Sequence, residues 1–204
     1  MLAHRGGTAG GRVGRGVASP DMTTGLLAGR LLLASTTLQD PNFTRSVVLI
    51  GMHTEEGALG LVLNRPSSAT VMEAVPQLGA LVDEEDPVYV GGPVQPGAIV
   101  VLAEFVDPAA AGVLVAGRIG LPGPDVPLEQ LGEATERRRV FAGYAGWGEG
   151  QLDAEVEAGD WIPHDPEPND VFTQVPAQLW SSVLTRKGGR YALLARMPLD
   201  PSLN

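Results

Sequence analysis

Phe141-Ala142-Gly143-Tyr144-Ala145-Gly146-Trp147-Gly148-Glu149-Gly150-Gln151-Leu152 is the stretch whose reading decides the fold. Four glycines interleave with Phe141, Tyr144 and Trp147, a composition unsuited to merely filling a core. Glycine belongs where backbone turns sharply, adopts a positive φ or closely approaches another group. Asp153 to Glu157 then show helical patterning, so the segment predicts a strand, a glycine turn and a helix start. If Gly146 or Gly148 takes a positive φ, alanine there costs about 1 kcal/mol or more. Such a turn can form a binding surface, because helix N-terminal amides attract anions. It matches neither a dinucleotide fingerprint nor a phosphate-binding loop, and Glu149 would repel phosphate.

Apolar runs recur on both sides of this segment, at Arg30–Ala34, Ser46–Gly51, Leu59–Asn64, Val88–Val90, Ala98–Phe105, Val113–Ile119 and Val140–Tyr144. Gly, Pro, Asn or Asp bounds most of them, which predicts strands. Their hydrophobicity is continuous rather than alternating, as expected of strands covered on both faces. Helices are predicted over Thr70–Leu78, Pro127–Glu136 and Gln151–Glu157, and most clearly over Pro176–Lys187. In that last segment Leu179, Trp180, Val183 and Leu184 make one apolar stripe. Arg186 and Lys187 suit its negative end, and Gly188-Gly189 stop it. Tyr191–Arg196 is expected as a final strand. Strands run together without strict βαβ alternation, so the chain is expected to be α+β.

At 204 residues the chain supports one well-buried core. Residues 1–19 are rich in glycine, hold Arg5, Arg12 and Arg15 and contain no acid. They are expected to be a disordered tail, dispensable for folding, or to precede a true start at Met22. Residues 20–204 are expected to form a single domain. The formal charge is −10 overall, and the tail's +3 leaves −13 on that domain. A surface this acidic repels phosphodiester backbones, so no direct contact with nucleic acid is expected. The absence of cysteine removes thiolate catalysis and cysteine-ligated metals, and with no secretory signal it fits the cytoplasm. The apolar runs are strand-sized, far short of a membrane helix.

Four blocks stand out in order: Asp40-Pro41-Asn42-Phe43-Thr44-Arg45-Ser46-Val47-Val48-Leu49 with His53 beyond it; Gly57 through Pro66; Tyr89-Val90-Gly91-Gly92-Pro93-Val94; and the Phe141–Leu152 segment extended through Glu155, Gly159 and Trp161. Together they resemble the AlgH/YqgE family. Leu179-Trp180 and the ending Asp200-Pro201-Ser202-Leu203-Asn204 agree as well. The resemblance implies an α+β fold with a bifurcated mixed sheet, part of it closed into a small β-barrel, surrounded by helices. It implies less about activity: the family's label of transcriptional regulator comes from a genetic effect on alginate production, without a DNA-binding motif. Two departures stand out. Many members have proline where this chain has Ser35-Thr36, and some carry a histidine near the strand that here reads Val100–Glu104.

Asp40, Ser46 and His53 are the residue types of a hydrolytic triad, but Ser46 opens a strand and sits on no nucleophile elbow. His4, His53 and His164 are scattered, so no metal site is expected. Asp83-Glu84-Glu85-Asp86 is expected as a solvated loop, and Arg137-Arg138-Arg139 as a short basic run that pairs with the acidic surface. Arg45, Asn64 and Arg65 offer donors suited to carboxylate or phosphate, and Asn64-Arg65 and Gly91-Gly92 end strands where side chains can converge. The candidate ligand-binding set is Arg45, Asn64, Arg65, Gly92, Trp147, Gly148 and Gln151, with no catalytic residue, metal or cofactor among the expectations. The reading is a cytoplasmic, non-enzymatic protein that binds a small molecule or protein partner in regulation. The alternatives are an enzyme acting on a small anionic substrate and, less favoured, a direct DNA-binding regulator. Oligomeric state stays open.

Overall fold

The computed structural model describes residues 27–197. The expected tail, the start at Met22 and the Asp200–Asn204 ending lie outside the described residues. The elements run in chain order as β1 (Leu31–Ala34), β2 (Val47–Thr54), β3 (Gly57–Val62), β4 (Pro66–Thr70), α1 (Val71–Ala74), β5 (Pro87–Val90), β6 (Val94–Phe105), β7 (Val113–Ala116) and β8 (Ile119–Leu121). They continue with α2 (Leu128–Ala134), β9 (Thr135–Trp147), α3 (Gln151–Ala158), β10 (Trp161–His164), α4 (Pro168–Val171), α5 (Pro176–Lys187) and α6 (Arg190–Leu194). Short 3-10 turns occupy Pro41–Phe43, Pro76–Leu81 and Pro108–Ala110.

The main path of the sheet is β10-β1-β2-β3-β9-β6-β8-β7, with β4 and β5 branching from β9. Every pairing is antiparallel except β5 with β9. The thirteen-residue β9 organises the whole. Its first part pairs with β6, its middle takes β5 alongside at Tyr89↔Phe141 and Val90↔Ala142, and its end pairs with β3 at Ala58↔Trp147.

The sequence explains why β1 is buried on both faces. Leu31 and Leu33 face one core, with Val47, Leu49, Leu61, Trp180, Val183 and Leu184; Leu32 and Ala34 face another, with Val48, Ile50, Trp147, Leu152 and Trp161. Period-2 alternation between two filled faces produces the continuous apolar run. α5 covers the first face and α3 the second. A third core, under α1, the Pro76–Leu81 turn and α2, gathers Val71, Val75, Leu78, Leu81 and Leu131 against Val88, Phe105 and Val140. α5 keeps its expected bounds, with Pro176 in the first turn and Gly188 at φ 75 closing it through bonds to Leu184 O and Thr185 O.

Three expectations are corrected. The sheet is not closed into a barrel: β10 and β7 end the path and no pairing joins them. β7 comes close to the other end, where Gly29 faces Val115 O, but β2 already pairs with β1 and β3 on its two edges, so no ladder forms there among the described residues. Tyr191–Arg196 is not a strand, since Arg190–Leu194 is helical. Tyr191, Leu194 and Ala195 fall at helical spacing, and Gly188 and Gly189, both at positive φ, turn the chain back onto α5. Val113–Ile119 is a hairpin of β7 and β8 rather than one strand, because Gly117 at φ 58 reverses the chain.

Candidate functional site

The glycine segment has a structural explanation. Gly146 and Gly148 do not take positive φ; within the segment Gly143 (φ 71) and Gly150 (φ 65) do. Gly143 marks a register break between β6 and β9, and Gly150 caps α3. Trp147 and Trp161 meet edge to face at 5.8 Å, and Phe43 stacks on Trp147 at 6.3 Å. Both indoles donate to Glu155 Oε2, Trp147 at 2.9 Å and Trp161 at 2.8 Å, while Gln151 Nε2 donates to Oε1 at 2.8 Å. Gln151 Oε1 in turn accepts from the Gly148 N–H at 3.1 Å. Glu155 thus ties strand, turn and helix together.

Arg45, Asn64 and Arg65 converge on the loop that carries Phe43. Asn64 accepts from Val47 N at 3.0 Å and donates to Arg45 O at 2.9 Å, bracketing Ser46. Arg65 donates to Thr44 O at 2.6 Å. Arg45, at φ 52, donates to Met197 O and lies 4.9 Å above the Trp180 ring. Gly92 sits apart, its Cα against the backbone of Tyr144 and Ala145. The seven candidates therefore form three groups: Arg45, Asn64 and Arg65 at the loop, Trp147, Gly148 and Gln151 at the Glu155 clamp, and Gly92 on β5's exit. Asp40, Ser46 and His53 form no triad. Asp40 caps Asn42 N at 2.8 Å, Ser46 is fully buried, and His53 faces Asp153 at 3.5 Å. Ser46 and His53 lie at opposite ends of extended β2, about 20 Å apart at strand rise. No group of three metal-ligating side chains occurs among the described residues.

A cleft lies elsewhere. At Glu136–Arg139, β9 has β6 on one side and no strand on the other, because β5 joins only at Phe141. The gap is a cleft of about 750 Å³ walled by Leu81–Asp83, Asp86, Tyr89, Glu136–Val140 and Phe172–Gln174. None of the seven candidates lines it. Arg139 is 8% exposed, lies 4.2 Å over the Tyr89 ring and donates to Val171 O at 2.6 Å and Thr173 O at 2.7 Å. Burial pushes the Tyr89 phenol up and the Arg139 guanidinium down. Arg138 donates to Leu81 O, Gly132 O and Thr135. The sequence signal was the Arg137-Arg138-Arg139 run; what it lacked was the position of Tyr89 and of Phe172–Gln174 across the gap.

Among the described residues, only Arg137 of the three pairs with a carboxylate, reaching Glu104 at 2.6 Å. Buried Glu104 also accepts from Arg118 at 2.8 Å, and Arg118 reaches Glu136 at 2.8 Å. The hydrogen bond from Arg137 holds the Glu104 carboxyl below its ordinary value, against the opposing effect of burial. A depressed carboxyl contributes stability above its unfolded pKa and loses it as pH falls through the folded value. Urea denaturation at about pH 6 and about pH 4 should therefore show wild type losing more stability on acidification than Glu104→Gln, which cannot titrate there. Equal losses would show that this pair does not couple to pH.

Residues 31–192 match the family model described as AlgH-like. The chain belongs to the AlgH-like family. A UPF0301 protein of Streptomyces coelicolor is 44% identical over 185 residues, covering 87% of this chain and 95% of that protein. A UPF0301 protein of Mycobacterium tuberculosis is 42% identical over 182 residues, covering 87% and 90%. Two solved structures share the AlgH-like fold. The crystal structure of protein DIP2367 from Corynebacterium diphtheriae has a TM-score of 0.77 at 28% identity, covering 84% of this chain and 92% of that one. The solution structure of AlgH from Pseudomonas aeruginosa gives 0.64 at 29%, covering 90% and 98%. No helix among the described residues is long and apolar enough to cross a membrane.

Proposed function

We propose that this AlgH-like chain is a non-catalytic, cytoplasmic binding protein with a regulatory role, and that the cleft at the branch of its sheet is the binding surface. The supporting observation is how the cleft's ionisable groups are used: Asp83 and Glu85 stand exposed to solvent, and the other acids are held by neighbours. Glu136 is paired with Arg118, Arg137 with Glu104, and Asp86 Oδ2 accepts from the Asp83 N–H at 2.9 Å. Groups already committed to fixed partners serve to shape a surface, whereas general acid–base catalysis needs a base within reach of a substrate proton. His53 and His164, the histidines of the described residues, do not line the cleft. Its volume falls in the usual range for small-ligand sites. Regulation through a ligand or partner fits the domain's −13 charge better than direct contact with duplex DNA.

The reading is tested by thermal-shift screening of the full-length protein against a metabolite library, with Gln174→Trp as the control. Gln174 is exposed on the cleft wall, so an indole there narrows the cleft without disturbing the core. A hit should raise Tm in wild type by linkage and lose that effect in Gln174→Trp. Hits that persist unchanged in the variant would place binding outside the cleft and end the proposal.

A further inference from the structure

Arg138 and Arg139 are adjacent on β9, so their side chains leave opposite faces of the strand, Arg138 toward Leu81 and Arg139 toward Tyr89 and Thr173; both border the cleft, and neither pairs with a carboxylate among the described residues. Their hydrogen bonds go to Leu81, Gly132, Thr135, Val171 and Thr173. Backbone carbonyls and a hydroxyl solvate a guanidinium and fix its plane, but they leave its unit charge uncompensated. Arg138 Nη2, Arg139 Nε and the Tyr89 hydroxyl make no hydrogen bond among the described residues. Donors therefore remain, on groups whose orientation is already set. Asp86 is the acid whose field reaches both Tyr89 and Arg139, and its carboxylate is already engaged by the Asp83 N–H.

We propose that this cleft binds the carboxylate or phosphate group of a small molecule, with Arg138 on one side and Arg139 on the other as the recognition residues. The inference rests on the cleft being the binding surface. Planar guanidiniums with free N–H groups suit oxyanions, and charge-assisted bonds of this kind are about twice as strong as neutral ones. The stacking of Arg139 on Tyr89 and its two carbonyl bonds hold it in place before a ligand arrives, so little ordering cost remains. The run Asp83–Asp86 puts Asp83, Glu85 and Asp86 on the same lining, so an anion reaches the arginines against the repulsion of these carboxylates.

The test uses the full-length protein with inorganic phosphate and succinate as probes, each at about 20 mM against chloride at matched ionic strength. Wild type should gain roughly 4 °C in Tm with at least one of them, the value expected for a millimolar site on a domain of this size. Which probe acts separates phosphate from carboxylate recognition. Gln174→Glu places one negative charge on the cleft wall without changing side-chain length and should weaken apparent affinity about tenfold. Arg138→Ala should weaken it at least as much, and the charge insertion keeps the test valid if that variant is destabilised. Shifts of equal size in wild type and Gln174→Glu would reveal general salt effects and overturn the inference. So would the absence of any shift with both anions. A neutral or cationic library hit that Gln174→Trp blocks, with no anion effect, would leave the cleft as a binding surface while removing the arginines' assigned role.

Discussion

Alanine at Gly92 is expected to destabilise the protein by more than about 3 kcal/mol, the sum of two independent penalties. Gly92 leaves β5 at φ 154, and a Cβ added there would lie 2.2 Å from Tyr144 C and 2.3 Å from Ala145 N. Those are backbone atoms of β9, so no side-chain rotation relieves the clash; either β5 moves away or β9 bends. Both responses damage the third core, because Val88 and Val140 pack together there. Overpacking typically costs 1–3 kcal/mol and a disfavoured backbone region a further 1–3. Gly148→Ala is the matched control, since its added Cβ would meet only Gln151 Oε1 at 3.9 Å and its φ is not positive. It should stay within about 0.5 kcal/mol of wild type. Guanidinium denaturation of both variants decides the matter, and similar losses would contradict the close approach of β5 to β9.

Trp147→Ala is expected to cost about 3–5 kcal/mol, as for large aromatic truncations in cores. The indole is 8% exposed, stacks on Phe43, meets Trp161 edge-on and donates to Glu155. Its removal opens a cavity between α3 and the sheet and takes one of three donors from the Glu155 carboxylate. Trp147→Phe should cost clearly less, about 1–2 kcal/mol, because the ring contacts persist and Trp161 and Gln151 still satisfy the carboxylate. Far-UV circular dichroism is the suitable probe, since fluorescence would change with the tryptophan itself. A loss below about 1 kcal/mol for the alanine variant would show that the indole is dispensable to packing.

Much of the architecture was legible because it depends on local chemistry. The proline, apolar stripe, basic end and double glycine of Pro176–Lys187 specify one helix between definite bounds. The strand–turn–helix reading of Phe141–Leu152 follows from glycine placement, although the positive φ values belong to Gly143 and Gly150. Tyr191–Arg196 misled for a physical reason. A short apolar run satisfies strand and helix patterning alike, and only the available surface of α5 selected the helix. Arg45, Asn64 and Arg65 were legible as hydrogen-bonding side chains, but that Asn64 and Arg65 bond to the Thr44–Val47 backbone could not be read from spacing.

The sequence by itself determined the AlgH-like membership, the α+β class, the continuous burial of β1 and the acidity that argues against duplex DNA, since each depends on composition, order or period along the chain. Tertiary structure decided the open sheet and the cleft. Whether the ends of the sheet join depends on which strand edges remain unpaired after distant segments have come together, and β2 is taken on both sides. The Arg137-Arg138-Arg139 run was visible from the start, yet its chemistry is assigned by what lies across the gap. Arg137 finds Glu104, while Arg138 and Arg139 find carbonyls and an aromatic face. A guanidinium's sequence neighbours do not say whether its charge will be cancelled; the fold does.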